Sequence, residues 1–389
     1  MKKLGTVLLL IFILLVLIAS VSAESVDEMV QEQVEQLEMR DIEAFWEELQ
    51  RESGEYLPDF AWQDILSWFR PGEGQGLSIS EVFTGLWRFL WRELYYNLNL
   101  LGKLLFLAVI AALLKNLEKA FNNDSIAALT QAVVYLALFT IAMQSFAVAV
   151  GLGRDTVTSM VEMILAVIPL LLALLASLGS LASATLFRPL IIFAVNFFAT
   201  FTRDVIFPLI YLTTILSIVN YFSPRVTVSK LADLLKNAAV WGMGLSMTIF
   251  TGLLSIHGIA STVGDAVTIR TAKFMSSAFL PVVGGMLSDA IETVAGATLI
   301  LKSTVHIAGI LVLFYMVVFP LIKILALVFI YKLAAALIQP LGETNICDSL
   351  NTMGNCLALV FAAVAIVSVI FYLAITIISG AANASFMLR

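Results

Sequence analysis

From residue 98 onward the chain is written in long apolar runs with sparse polar punctuation, the pattern of helices that cross a bilayer. The runs fall at about 98–114, 126–150, 161–180, 188–202, 204–222 and 238–256, then a weaker block at 275–300, a strong one at 304–338 and a last one at 355–380. The 304–338 block is too long for one helix normal to a membrane, so Pro320 and Lys323 predict a hairpin or break there. Arg203-Asp204 interrupts the run 189–222 and reads as a hairpin tip or as an ion pair facing a cavity. The expected fold is an all-α polytopic membrane protein of about 8–10 spans.

Upstream of these runs the pattern changes. Lys2, Lys3, an apolar stretch at Leu8–Ile18 and Val21-Ser22-Ala23 predict a signal peptide over 1–23, cleaved, or retained as an anchor. Either way residues 24–97 are expected outside the cytoplasm. Val26, Val30, Val34 and Leu37 recur at helical spacing, and Ile42, Phe45, Trp46 and Leu49 continue the stripe with acidic residues on the other faces. Such helices pack on one another, on the membrane body or on a partner protein, because an acidic face suits anionic lipid poorly. Residues 82–96 crowd Phe83, Trp87, Phe89, Trp91, Tyr95 and Tyr96 with Arg88 and Arg92, the aromatic and snorkelling composition of a membrane interface.

A shift of 112 residues lays Val205–Ile210 on Val317–Ile322, Pro169 on Pro281 and Gly242 on Gly354. Among apolar residues such a match arises by chance or by duplication; duplicated halves are a common architecture of transporters. The segmentation is then 1–23, 24–97, first spans in 98–150, and halves over 151–262 and 263–389, parallel with four segments each or inverted with three.

Composition sharpens the class. Hydrophobic residues make up 60% and charged ones 13%, which excludes an ordinary soluble enzyme and a disordered chain. The net charge of −6 conceals an asymmetry, because residues 24–76 carry −12 and residues 77–389 carry +4. Nothing is basic enough to make nucleic acid a partner. The 223–237 stretch, with Pro224, Arg225, Lys230 and Lys236, suits a cytoplasmic loop and a short amphipathic helix, meeting anionic lipid or an acidic partner or simply obeying the positive-inside preference.

Candidate chemistry is thin. Pro281, Gly284 and Gly285 weaken the helix in the 275–300 block, where Asp289 and Glu292 share a face. With Arg203 and Asp204 these are the candidates for lining a passage or for packing, in a discontinuous segment or an interfacial amphipathic helix. Val30, Val34, Leu37, Phe45, Trp46, Arg225, Lys230 and Lys236 are the candidates for docking a partner. Cys347 and Cys356 could pair only if their loop is extracytoplasmic. His257 and His306 have no metal-ligand spacing, no P-loop is present, and no nucleophile–base constellation can be defended. The expectation is therefore no enzyme, no cofactor and no metal.

Taken over its full length, from LIASVSAES through the acidic helices to FLPVVGGMLSDAIETVAG and the closing span, the chain resembles the stage III sporulation protein AE family of endospore-forming bacteria. The resemblance implies a multi-pass protein of the mother-cell membrane around the forespore. It implies a subunit of a channel or secretion-like complex needed for late forespore gene expression. The implied partners are ring-forming membrane subunits and a secretion-type ATPase, besides membrane lipid. A scaffold without its own conduit and a stand-alone secondary transporter are the alternative readings.

Overall fold

The computed structural model describes residues 40–53, 79–121, 124–178, 180–222, 228–279 and 283–387. For 40–43, 117–131, 181–183, 257–295 and 381–387, among others, the backbone alone is described. The expected signal peptide, Val30, Val34, Leu37, Arg225 and Pro281 lie outside the described residues.

Apart from single connecting residues such as Ser180, Val228 and Glu343, the described residues are helical or turn. The helices are α1 (Arg40–Ser53), α2 (Ile79–Phe121), α3 (Asp124–Ser177), α4 (Leu181–Phe201), α5 (Phe207–Phe222), α6 (Ser229–Phe279), α7 (Val283–Ile338) and α8 (Thr344–Met387). Six stretches among the described residues are long and apolar enough to cross a membrane: Ser80–Asn116, Ala132–Ser177, Ala184–Tyr221, Ser229–Ile256, Thr298–Leu341 and Thr344–Gly380. The protein is thus a multi-pass membrane type built from fewer, longer helices than the pattern of runs predicts. A stretch of 46 residues rises about 69 Å, roughly twice a hydrocarbon core.

The difference lies in four expected breaks, one of them between the 275–300 and 304–338 blocks, which α7 joins through Lys302. The runs 126–150 and 161–180 join in α3, across Arg154-Asp155 and with Pro169 inside. The hairpin or break expected at Pro320 and Lys323 is absent, and α7 continues through both. Neighbours hold the helix in the turns just before that proline: Phe319 packs edge-on to Phe89 with ring centroids 4.8 Å apart, and Tyr315 packs on Trp46 at 5.9 Å. Surrounding helices and local adjustments carry the lost backbone bond of such a proline.

The last expected break, a hairpin tip at Arg203-Asp204, is a π-helical turn over Thr202–Ile206 that connects α4 to α5 without reversing the chain. Pro208 has no N–H to offer the Asp204 carbonyl, so the ladder slips by one, and the Phe207 N–H bonds the Thr202 carbonyl.

Successive spans run alternately up and down. Tyr135 hydrogen-bonds Glu343, the Tyr331 hydroxyl donates to the Ala142 carbonyl at 2.6 Å, and Gly309 faces Val167, which fixes α3 antiparallel to α7. Lys332 bonds Asn355 at one end of the α7–α8 pair, and Tyr372 bonds the Ile310 carbonyl higher up. The base of the bundle is the end where α2 turns into α3, α5 into α6 and α7 into α8. The tip is the end where α3 turns into α4. α7 packs on α8, α2, α3 and α1; α8 also packs on α3, α5 and α6; α4 packs on α3 and α6.

The core is closed where α3, α5 and α8 meet. A side chain at Gly153 would stand 3.2 Å from the Phe207 ring, 3.3 Å from Val360 and 3.3 Å from Val364.

The 112-residue match pairs α4–α5 with α7 and α6 with α8. The packing does not follow it. Gly242 faces Phe201 and Ile206, whereas Gly354 faces Val328, Tyr331 and Lys332, about four turns further along α7 than the match requires. The proposed boundaries after 150 and 262 fall inside α3 and α6.

Candidate functional site

Polar groups gather at two levels of this apolar bundle. At the base, Gly342 adopts φ 79°, the left-handed conformation that ends α7 after the turn Gln339–Leu341. The next residue, Glu343, is fully buried. Lys115 of α2 reaches it at 3.2 Å and also the Gly342 carbonyl at 3.3 Å, while the Tyr135 hydroxyl of α3 donates to its other oxygen at 2.6 Å. One carboxylate thereby ties α2, α3 and the α7–α8 turn together.

Beside it, α5, α6 and α8 enclose a polar cavity of about 170 Å³. Thr213, Asn220, Asp233, Lys236, Thr352 and Asn355 are among its lining, with Tyr221 hydrogen-bonded to Thr352 at 3.1 Å. Lys236 and Lys230 are exposed on the first turns of α6, as the amphipathic reading of this stretch expects.

Halfway up lies the second level. Arg154-Asp155, Glu162, Arg203-Asp204 and Lys323 come from α3, the π turn and α7. The Arg203 Nε donates to Asp204 at 2.9 Å in an exposed pair, so the π turn pushes both charges out of the core. A cavity of about 350 Å³ opens between α1, α3 and α7, lined by Glu48, Asp155, Glu162 and Lys323 with Thr156, Ser159 and apolar neighbours. Three carboxylates and one ammonium give it an acidic, water-compatible wall.

α1 forms the outer side of that cavity. Its Trp46 is only 3% exposed and Phe45 packs beside it, so these two partner-docking candidates are engaged within the chain itself. We expect Trp46→Ala to release α1 while leaving the rest of the bundle folded. Trypsin should then cut at Arg40 or Arg51 several-fold faster with no change at α3–α8. Unchanged protection of α1 would refute this docking.

Gly284, Gly285, Asp289 and Glu292 all lie in the tip-side part of α7, whose backbone alone is described there. α7 runs through them as one helix from Val283, and Arg203-Asp204 belongs to the mid-bundle level, so the structure does not gather the passage candidates at one place. Cys347 and Cys356 are free thiols on one helix, nine residues apart and so about 13 Å along its axis, beyond disulfide reach.

Reading the sequence missed two buried charges. Glu343 lies next to a turn and looks like a loop acid. Lys302 is 1% exposed, with its ammonium on the Ser379 carbonyl of α8. Its sequence signal was a lone cation opening a long apolar run.

The family model described as stage III sporulation protein AE matches residues 61–382. The chain belongs to the stage III sporulation protein AE family. It is also 37% identical over 367 residues to the stage III sporulation protein AE of Bacillus subtilis (strain 168), covering 94% of this chain and 92% of that relative. No solved structure matches. Membership ties the bundle to sporulation and agrees with the resemblance drawn from FLPVVGGMLSDAIETVAG and the acidic segment.

Proposed function

We propose that this chain is a membrane subunit of a channel or secretion-like complex between mother cell and forespore, and that a passage, where there is one, runs between subunits. The closed core carries this reading. Gly153, Phe207, Val360 and Val364 converge at the centre of the bundle, and Phe146 and Tyr331 are fully buried nearby. A stand-alone secondary transporter needs a substrate site inside its own bundle. Among the described residues, the two polar cavities sit at the base and on the flank instead. The membrane is the mother-cell membrane around the forespore, with α1 and the start of α2 outside the cytoplasm. The exposed Lys230 and Lys236 then face the cytoplasm, where a secretion-type ATPase would work, and the acidic segment faces ring-forming subunits.

The scaffold reading predicts a different outcome in one experiment. Single cysteines placed at Arg203, Asp289 and Glu292 in sporulating cells should react with small charged thiol reagents if these positions border an aqueous path in the assembly. Protection at all three positions would favour the scaffold and sink the conduit reading.

A further inference from the structure

The base cavity between α5, α6 and α8 gathers more polar groups than these helices use among themselves. Asp233 and Lys236 of α6 line it together with Ser217 and Asn220 of α5. None of these side chains makes a hydrogen bond or an ion pair among the described residues. Asn355 of α8 accepts from Lys332 at 2.9 Å with its amide oxygen, which leaves its NH2 group to donate. Polar groups collected at one place without partners call for a polar occupant.

The charges specify a zwitterion. Asp233 and Lys236 are three residues apart on one side of α6, with about 5–6 Å between Cβ atoms at that spacing, yet they do not pair. A carboxylate and an ammonium held apart in this way suit a ligand carrying its own ammonium and its own anion at a similar separation. An anion alone would meet Asp233, and a cation alone would meet Lys236. The cavity of about 170 Å³ matches the volume of about five or six waters, which is a head group and not the 300 Å³ or more, roughly, of a drug-sized ligand.

Apolar edges lead away from it. On α6, Val240, Gly244 and Met247 follow Lys236 on the same side; Val240 is 44% exposed, and a side chain at Gly244 would meet nothing within 4 Å. On α8, the half-buried Leu359 and Ile366 follow Asn355 at the spacings by which Val240 and Met247 follow Lys236. Both helices leave from the base and pack on each other, so the two edges climb together, by about 16 Å from Lys236 to Met247. One leaflet supplies about 15 Å of hydrocarbon, half of a core about 30 Å thick. A free solute has no use for such edges, whereas an acyl chain does.

We infer that the base cavity binds the head group of an ethanolamine phospholipid, with its ammonium on Asp233, its phosphate on Lys236 and the Asn355 amide, and an acyl chain along Val240, Met247, Leu359 and Ile366. A choline head group lacks the N–H donors that Asp233 and Asn220 would accept. A glycerol head group leaves Asp233 facing a phosphate with no cation between them. The site requires only that the bundle stand in a membrane, and it does not rest on the conduit reading.

The purified full-length protein in a non-ionic detergent is titrated with dihexanoyl phosphatidylethanolamine, with its choline and glycerol counterparts, and with chain-free phosphoethanolamine. Native mass spectrometry counts bound lipid, and a thermal scan reads the midpoint. One ethanolamine lipid should bind per chain, roughly tenfold more tightly than either counterpart, and should raise the midpoint. Phosphoethanolamine at the same concentration should do neither. Asp233→Asn should abolish the preference for ethanolamine over choline, and Lys236→Met should weaken both lipids alike, by roughly tenfold. Lys103→Met, exposed on α2 away from the cavity, should change neither binding nor preference. Equal binding of the three lipids, or an unchanged preference in Asp233→Asn, would overturn the proposal. So would the absence of bound lipid, or phosphoethanolamine binding as tightly as the lipid, which would assign the cavity to a soluble zwitterion.

Discussion

Lys115→Met should lower the unfolding free energy of the purified protein in detergent by about 2 kcal/mol. Removing one partner of a buried ion pair commonly costs about 3–5 kcal/mol, because the other charge stays buried. Lys115 is roughly a third exposed, which softens the loss. Glu343 has no such relief; it keeps only the Tyr135 hydroxyl once the ammonium is gone. Adding Glu343→Gln should return most of the stability, since the amide oxygen still accepts from Tyr135 without a charge to satisfy. Denaturant titration of the three proteins checks both statements. A midpoint for Lys115→Met equal to that of the parent would show that the clamp at the base contributes nothing.

Gly153→Leu should be worse, by about 3 kcal/mol or more, and the protein should fail to accumulate in membranes. Its first carbon already falls against Phe207, Val360 and Val364 from two other helices, so three further carbons must displace a packed core. Gly151, two residues earlier on the same helix, meets nothing within 4 Å. Gly151→Leu is therefore the matched comparison, and it should be neutral or slightly favourable through helix propensity. Equal yields and thermal midpoints for the two variants would contradict the closed core.

How much of this was written in the sequence depends on the range over which each feature is decided. Helical apolar stretches were legible because Val, Leu, Ile, Phe and Ala fill whole turns on every side, and that pattern has few other solutions. The amphipathic stripe of α1 was legible in the same way, with Trp46 correctly placed on its apolar face. The breaks were misread at Pro320 and at Arg203-Asp204, since a proline or an ion pair ends a helix only when nothing beside it holds the chain. At Pro320, Phe89 and Trp46 do hold it, packing on Phe319 and Tyr315, and they come from helices far away in sequence. The clamp at the base had no local signal at all. Lys115 lies 227 residues from Gly342, the residue just before Glu343, and each charge alone looks like an ordinary one at a helix end. The 112-residue match was real as a string of letters and still did not predict which turn of α7 Gly354 would meet.

The π turn between α4 and α5 can be understood as a correction of phase. The buried positions run Ile191, Val195, Phe198, Thr202, Ile206, Ile210, Thr214 and Ile218, with four-residue steps throughout the second half. A regular helix advances about 100° per residue, so repeated steps of four drift steadily away from any fixed neighbour. The one extra residue between Thr202 and Phe207 winds that drift back. It lets 38 residues from Ala184 to Tyr221 keep one side toward α3, α6 and α8 in turn, while the two charged residues within the slip are turned outward. An odd-looking pair of charges in a long apolar run is here the outward mark of a register change, and its position tells where the helix passes from one set of neighbours to the next.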